Sequence, residues 1–173
     1  TERELDAYRG RADEVRKFAE EKGTIVLCSE VTNLGGAAMW LCGFMNTLLN
    51  AAKRPDFLHR LLDIIHGWDM MKARLMLEVG DADVIVHYGW YDSTDFLSVK
   101  AYRTFLMPRL LEEVELVFFF SGRRRHTICS GAMPLIGTLK DMGLDLLYGI
   151  DPVQGGSDMA RLKKEMGDRT CLW

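Results

Sequence analysis

The feature that most limits what this chain can fold into is an alternation. Short apolar runs at Thr24–Cys28, Asp83–His87, His126–Ser130, Leu144–Ile150 and Arg169–Trp173 are separated by longer segments with helical periodicity. No hairpin-type turn joins one run to the next. Successive strands are therefore expected to run parallel, linked by right-handed helical crossovers. The intervening helices are predicted at Thr1–Lys22, Ala37–Ala52, Pro55–Gly80, Ala101–Val117, Leu135–Met142 and Asp158–Met166. In the first, Leu5, Tyr8, Ala12, Val15 and Phe18 recur at helical spacing, and Gly23 is a good stop. Pro108 is expected to kink or break the fourth.

This pattern predicts a single α/β domain over residues 1–173 with about five parallel strands. A doubly wound sheet and an incomplete (β/α)8 barrel both fit. No G-x-G-x-x-G follows a strand, so a dinucleotide site is disfavoured. A complete barrel takes about 250 residues. The chain is accordingly expected to represent about two-thirds of one, starting after the first βα units and ending inside a strand at Trp173. Such a piece would leave unpaired edges, through which it is expected to associate.

Composition narrows the function. Twenty-two basic residues against 25 acidic ones give a net charge of -3, which argues against a general nucleic-acid binder. No apolar run approaches the roughly 18 residues of a membrane span. Four cysteines in 173 residues are too few for a disulfide scaffold and fit reduced thiols in a cytoplasmic protein. One segment is odd: Phe118–Phe120 stands beside Arg123–Arg125. It is read either as a patch covered by a partner or as a local sequence error.

In parallel α/β architectures, ligands bind beyond the carboxyl ends of the strands. That rule selects Glu30, the loop from His87 to Asp95, Cys129 with Ser130, and Asp151 with Gln154. The loop is the richest, with an imidazole, phenols, an indole and carboxylates that suit a planar, charged organic ligand. Tyr91, Asp92 and His87 are the candidate general acids and bases, and Trp90 a stacking platform. Glu30, Ser130, Asp151 and Gln154 are candidate substrate contacts. His126 and Cys129 carry zinc-ligand chemistry, although residues three apart on a strand face opposite ways unless a bulge intervenes. His59 and His66 read as solvated or interhelical histidines.

Several segments together resemble the uroporphyrinogen decarboxylase superfamily, which also contains corrinoid-dependent methyltransferases. They are Asp83–Val86 with Leu97–Pro108, which resembles "S-P-x-x-Y-R-x-F-x-x-P"; Ile128–Gly131; Asp141–Leu147 with Asp151–Gln154; and Asp158–Lys163 with Gly167–Arg169. The resemblance implies a (β/α)8 barrel with a wide active-site mouth. Its main implication is a decarboxylase-like enzyme acting on a tetrapyrrole or related polycarboxylated substrate, with no cofactor required. An alternative is a methyltransferase that uses zinc and a corrinoid protein partner. A third reading is an inactive barrel serving as a binding module. A homodimer is a further expectation.

Overall fold

The computed structural model describes residues 1–80, 82–121, 125–127, 131–153 and 155–173, with the side chains of 29–31, 121 and 125–127 left out. The order is α1 (Glu2–Lys22), β1 (Leu27–Thr32), α2 (Leu34–Cys42), α3 (Phe44–Lys53), α4 (Pro55–Val79), β2 (Val84–His87) and α5 (Val99–Ala101). A π-helical turn at Tyr102–Leu106 leads into α6 (Met107–Ser121). Then come β3 (Arg125–Thr127), a short 3-10 turn, α7 (Ile136–Asp141), β4 (Leu146–Tyr148), α8 (Met159–Met166) and β5 (Cys171–Leu172).

The strands are parallel, as the missing hairpin signals required. The expected incomplete barrel, one sheet of about five strands, is not what forms. Among the described residues the strands split into a pair, β1-β2, and a trio, β3-β4-β5, and helices dominate the chain. The physical reason is strand length. β3 and β4 have three residues each and β5 has two, so each ladder holds few hydrogen bonds. The apolar residues instead cement helix to helix.

The main core joins Leu34 and Ala38 of α2, Leu58, Leu62 and Ile65 of α4, and Leu110 and Val114 of α6 to Leu139 of α7, Leu147 of β4 and Leu162 of α8. Each such fully buried leucine contributes about 1.5–3 kcal/mol relative to exposure. A smaller cluster of Ala73, Ala82, Ile85, Leu116 and Val117 seals β2 against α4 and α6.

Local departures have local causes. The first strand begins three residues later than its apolar run, because Val26 and the Asp83 carboxylate fix the approach: Val26 N–H donates to Asp83 Oδ2 at 2.8 Å. The helix expected over Ala37–Ala52 is two helices. Gly43 takes φ 83°, a left-handed conformation that ends α2 and starts α3. Pro108 does not break its helix. The chain absorbs the missing N–H in the π turn just before it, where the Met107 N–H reaches back to the Tyr102 carbonyl. α1 buries only Ala19, with Val15 and Phe18 of its expected core stripe left exposed. Asp158 caps α8 by accepting from the Arg161 N–H at 2.9 Å.

Candidate functional site

β1 and β2 end side by side, with Thr32 opposite His87. All four residues of β2 are buried, so the imidazole of His87 has no route to solvent. It is met by three elements. Nδ1 lies 2.9 Å from Glu113 Oε2 on α6 and 2.9 Å from the Thr32 hydroxyl on β1. Nε2 lies 2.9 Å from Asp92 Oδ2, in the loop that follows β2. An imidazole with a carboxylate on each nitrogen satisfies both only as the imidazolium, which donates twice.

The electrostatics agree. Burial on its own would lower the His87 pKa. The charge of Glu113 and the hydrogen bonds from both carboxylates outweigh it and push the pKa up to about 10. Burial would raise Glu113, but the facing His87 and the hydrogen bonds of His66, His87 and Thr32 bring it down to about 2. Tyr102 is fully buried nearby. Burial, then the Asp92 and Glu113 charges, push its phenol up.

The same helix pair carries more of this chemistry. His66 Nε2 of α4 sits 2.9 Å from Glu112 Oε2, and its Nδ1 is 3.7 Å from Glu113 Oε1. One turn earlier on α6, Arg109 grips Asp63 and donates to the carbonyls of His59 at 3.0 Å and Phe105 at 2.7 Å. Burial tends to lower the His66 pKa, and the two glutamates more than reverse that. His59 and His66 are thus interhelical.

Asp92 is itself 0% exposed. Its Oδ2 also accepts from the Gly35 N–H at 3.3 Å. A Cβ at residue 35 would stand 2.0 Å from Asp92 Oδ1, so the start of α2 comes this close to the loop only because residue 35 is glycine.

Above this buried cluster, just past the carboxyl ends of β1 and β2, lies an open cleft of about 680 Å³. Asn33 and Tyr88, each the residue after its strand, stand at one side. Trp40 of α2 and Ile64 and Trp68 of α4 form apolar walls, more than 60% exposed. Asp69 and Lys72 supply its charge: they pair at 2.9 Å, and Asp69 Oδ2 accepts from the Asn33 N–H at 3.0 Å. Tyr88 stacks on Trp90 with centroids 5.2 Å apart.

Of the residues expected at the site, the structure brings His87 and Asp92 together and sets Trp90 beside Tyr88 at the cleft. Tyr91 is half-buried against Phe96. Asp151 bonds within its own turn, accepting from the Val153 N–H at 2.7 Å. The backbone of His126 pairs with Leu147 in β3. Cys129, Ser130 and Gln154, and the side chains of Glu30 and His126, lie outside the described residues. Among the described residues no group of three or more His, Cys, Asp or Glu is arranged to hold a metal ion. Sequence reasoning missed Thr32, Gly35, Arg109, Glu112 and Glu113, and named His66 only as a solvated or interhelical histidine. The available signal was ionisable residues on helix faces that are otherwise apolar, since α6 reads Leu110, Glu113, Val114, Val117 along one side.

No family model and no curated protein matches the chain. Among solved structures, a methyltransferase from Methanosarcina mazei has a similar fold, with a TM-score of 0.68 and 24% identity over 82% of this chain and 40% of that one. The chain thus spans well under half the length of that enzyme, and at this identity the likeness is one of fold. Among the described residues, no helix is long and apolar enough to cross a membrane.

Proposed function

We propose that this protein acts in methyl transfer, with a corrinoid as the methyl carrier, rather than in decarboxylation of a porphyrinogen. The observation that carries the reading is the fold likeness to a methyltransferase over 82% of the chain. The cleft past β1 and β2 adds to it, because it occupies the place where parallel α/β proteins put their ligands.

The fit of the implied groups differs. The aromatic and aliphatic walls around Trp40, Trp68 and Tyr88 suit one face of a large planar ligand, and Lys72 can meet a carboxylate or phosphate at its edge. Zinc has no ligand set among the described residues, and no step is routed through it. When bound, the corrinoid supplies a methyl group for transfer to a nucleophilic acceptor.

This chain's residues bind and orient. Trp40 and Trp68 exclude water from one side of the ligand. Tyr88, with Trp90 stacked on it, presents a ring to the same cleft. Asp92 and His87 act on the loop rather than on substrate: fully buried, they fix the start of the 88–98 segment and so the positions of Trp90 and Tyr91. Tyr91 is then the loop residue free to move a proton to or from an acceptor.

The test is to mix the purified protein with methylcobalamin and a panel of thiols and amines and to follow corrinoid absorbance and the methylated product. Protein-dependent methylation is expected. Carbon dioxide release from a uroporphyrinogen, with no methyl transfer to any acceptor, would overturn the reading.

A further inference from the structure

A second concavity lies away from the strand ends. It is a groove of about 480 Å³ between the end of α3, the start of α4 and the segment from Phe96 to Phe105. Its base is apolar, formed by Leu48, Phe96, Leu97 and Phe105, and Ala51, Ala52 and Pro55 keep it open. Neither the decarboxylase resemblance nor the methyl-transfer reading uses it.

Three observations bear on what it could hold. First, of the residues lining it, Lys100 alone ionises, and among the described residues no ion pair takes up its ammonium. Of the two hydroxyls lining it, Ser98 Oγ is spent on the Ala101 N–H at 3.1 Å, and Thr104 carries no charge. Second, the aromatic surface is already used. Phe96 is packed edge-on against Phe44 at 5.3 Å and against Tyr91 at 5.4 Å, so a ring would have to compete with these contacts. Third, Thr104 and Phe105 line the groove from within the π turn, a rare geometry that occurs disproportionately at functional sites.

We propose that this groove binds the anion of a medium-chain fatty acid, with the alkyl chain along Leu48, Leu97 and Phe105 and the carboxylate on Lys100. A flexible alkyl chain can follow an open apolar channel lined by alanines. A single ammonium among otherwise uncharged lining residues selects a single negative charge on the ligand. The proposal is independent of the methyl-transfer reading.

Isothermal titration calorimetry with decanoate and with decanol tests it. Decanoate is expected to bind one to one and about tenfold more tightly than decanol, the size of one charge-assisted contact. Lys100→Gln should remove that difference and leave decanol unchanged. Ala52→Phe, an exposed position that tolerates substitution, should abolish binding of both by filling the groove. Circular dichroism confirms that each variant is folded. Decanoate binding no tighter than decanol, or untouched by either substitution, would overturn the proposal. So would a dimer that Ala52→Phe dissociates in the absence of any decanoate heat, which would give this face to a second copy of the chain.

Discussion

The two faces of α4 reverse the usual distribution. The inner face, toward α6 and the strands, carries the buried His66 beside Leu62 and Ala73, with the buried Asp69 at the edge where this face meets the cleft. The outer face carries Ile64, Trp68 and Met71, all more than 50% exposed. An ordinary surface helix hides its tryptophan and shows its acid. The difference teaches that the two faces answer to different demands. Inside, each charge has a partner and the pairs fix one arrangement of α4, α6 and the loop after β2. Outside, apolar surface is kept where a cleft needs walls.

The inner face breaks hardest at Glu113. Glu113→Gln removes the negative charge from one side of a buried imidazolium, leaving Asp92 alone to balance it. Orphaning one member of a buried ion pair costs about 3–5 kcal/mol. Urea denaturation should show a loss of that order with an unchanged slope. A loss under about 1 kcal/mol would mean that His87 sheds its proton and that the pair is not what fixes the loop. Asp92→Asn is expected to cost somewhat less, about 1–3 kcal/mol, because Glu113 still faces the ring and the amide oxygen can still accept. If it instead lowers turnover without moving stability, Asp92 works on substrate and not on the loop.

The pH dependence of stability follows from the same groups. Glu113 is held down at about 2, so its contribution is present above the ordinary carboxylate pKa of about 4.3 and is lost as pH falls toward 2. His87 is held up at about 10, so its contribution is complete below about pH 6.5 and is lost as pH rises through 10. Thermal melts should therefore be flattest between about pH 4.3 and 6.5 and fall on either side. His66 is raised too, by the Glu112 and Glu113 carboxylates of α6, so its share is lost as pH rises above about 6.5. Glu112 is 62% exposed, and screening limits that share to about 1 kcal/mol or less. His66→Gln should make the slope just above pH 6.5 shallower, while the part that His87 carries up to about 10 is kept. A slope just above pH 6.5 as steep in His66→Gln as in the wild type would assign the His66 share to another group.

How much of this was legible in the sequence depends on the range of the interactions. Helix periodicity and parallel strands were readable, whereas the break expected at Pro108 was not what forms, because the π turn before it absorbs the missing N–H. The partition of strands into two sheets was not readable, because it turns on how few residues each short strand can pair. The strand-end rule led to His87 and Asp92, which sit five residues apart. Their third partner, Glu113, lies 26 residues beyond His87 on another element. Only the packing of α6 against β2 brings it in. Gly35 was equally hidden, since its need for a bare Cα comes from Asp92, 57 residues away.

The outer face is expected to give the smallest effect on stability, and that contrast is the sharpest test of the comparison. Trp68 is 61% exposed, so Trp68→Ala removes little buried area and should change unfolding free energy by no more than about 0.5 kcal/mol. If the apolar wall serves a ligand, the same change should weaken methylcobalamin binding by about tenfold or more, because aromatic side chains in binding sites often account for 1–2 kcal/mol each. Fluorescence titration of wild type and variant reads this directly, with Trp40 retained in the cleft as a reporter. A large stability loss with binding unchanged would move Trp68 to the structural side and leave the two faces of α4 with one role instead of two.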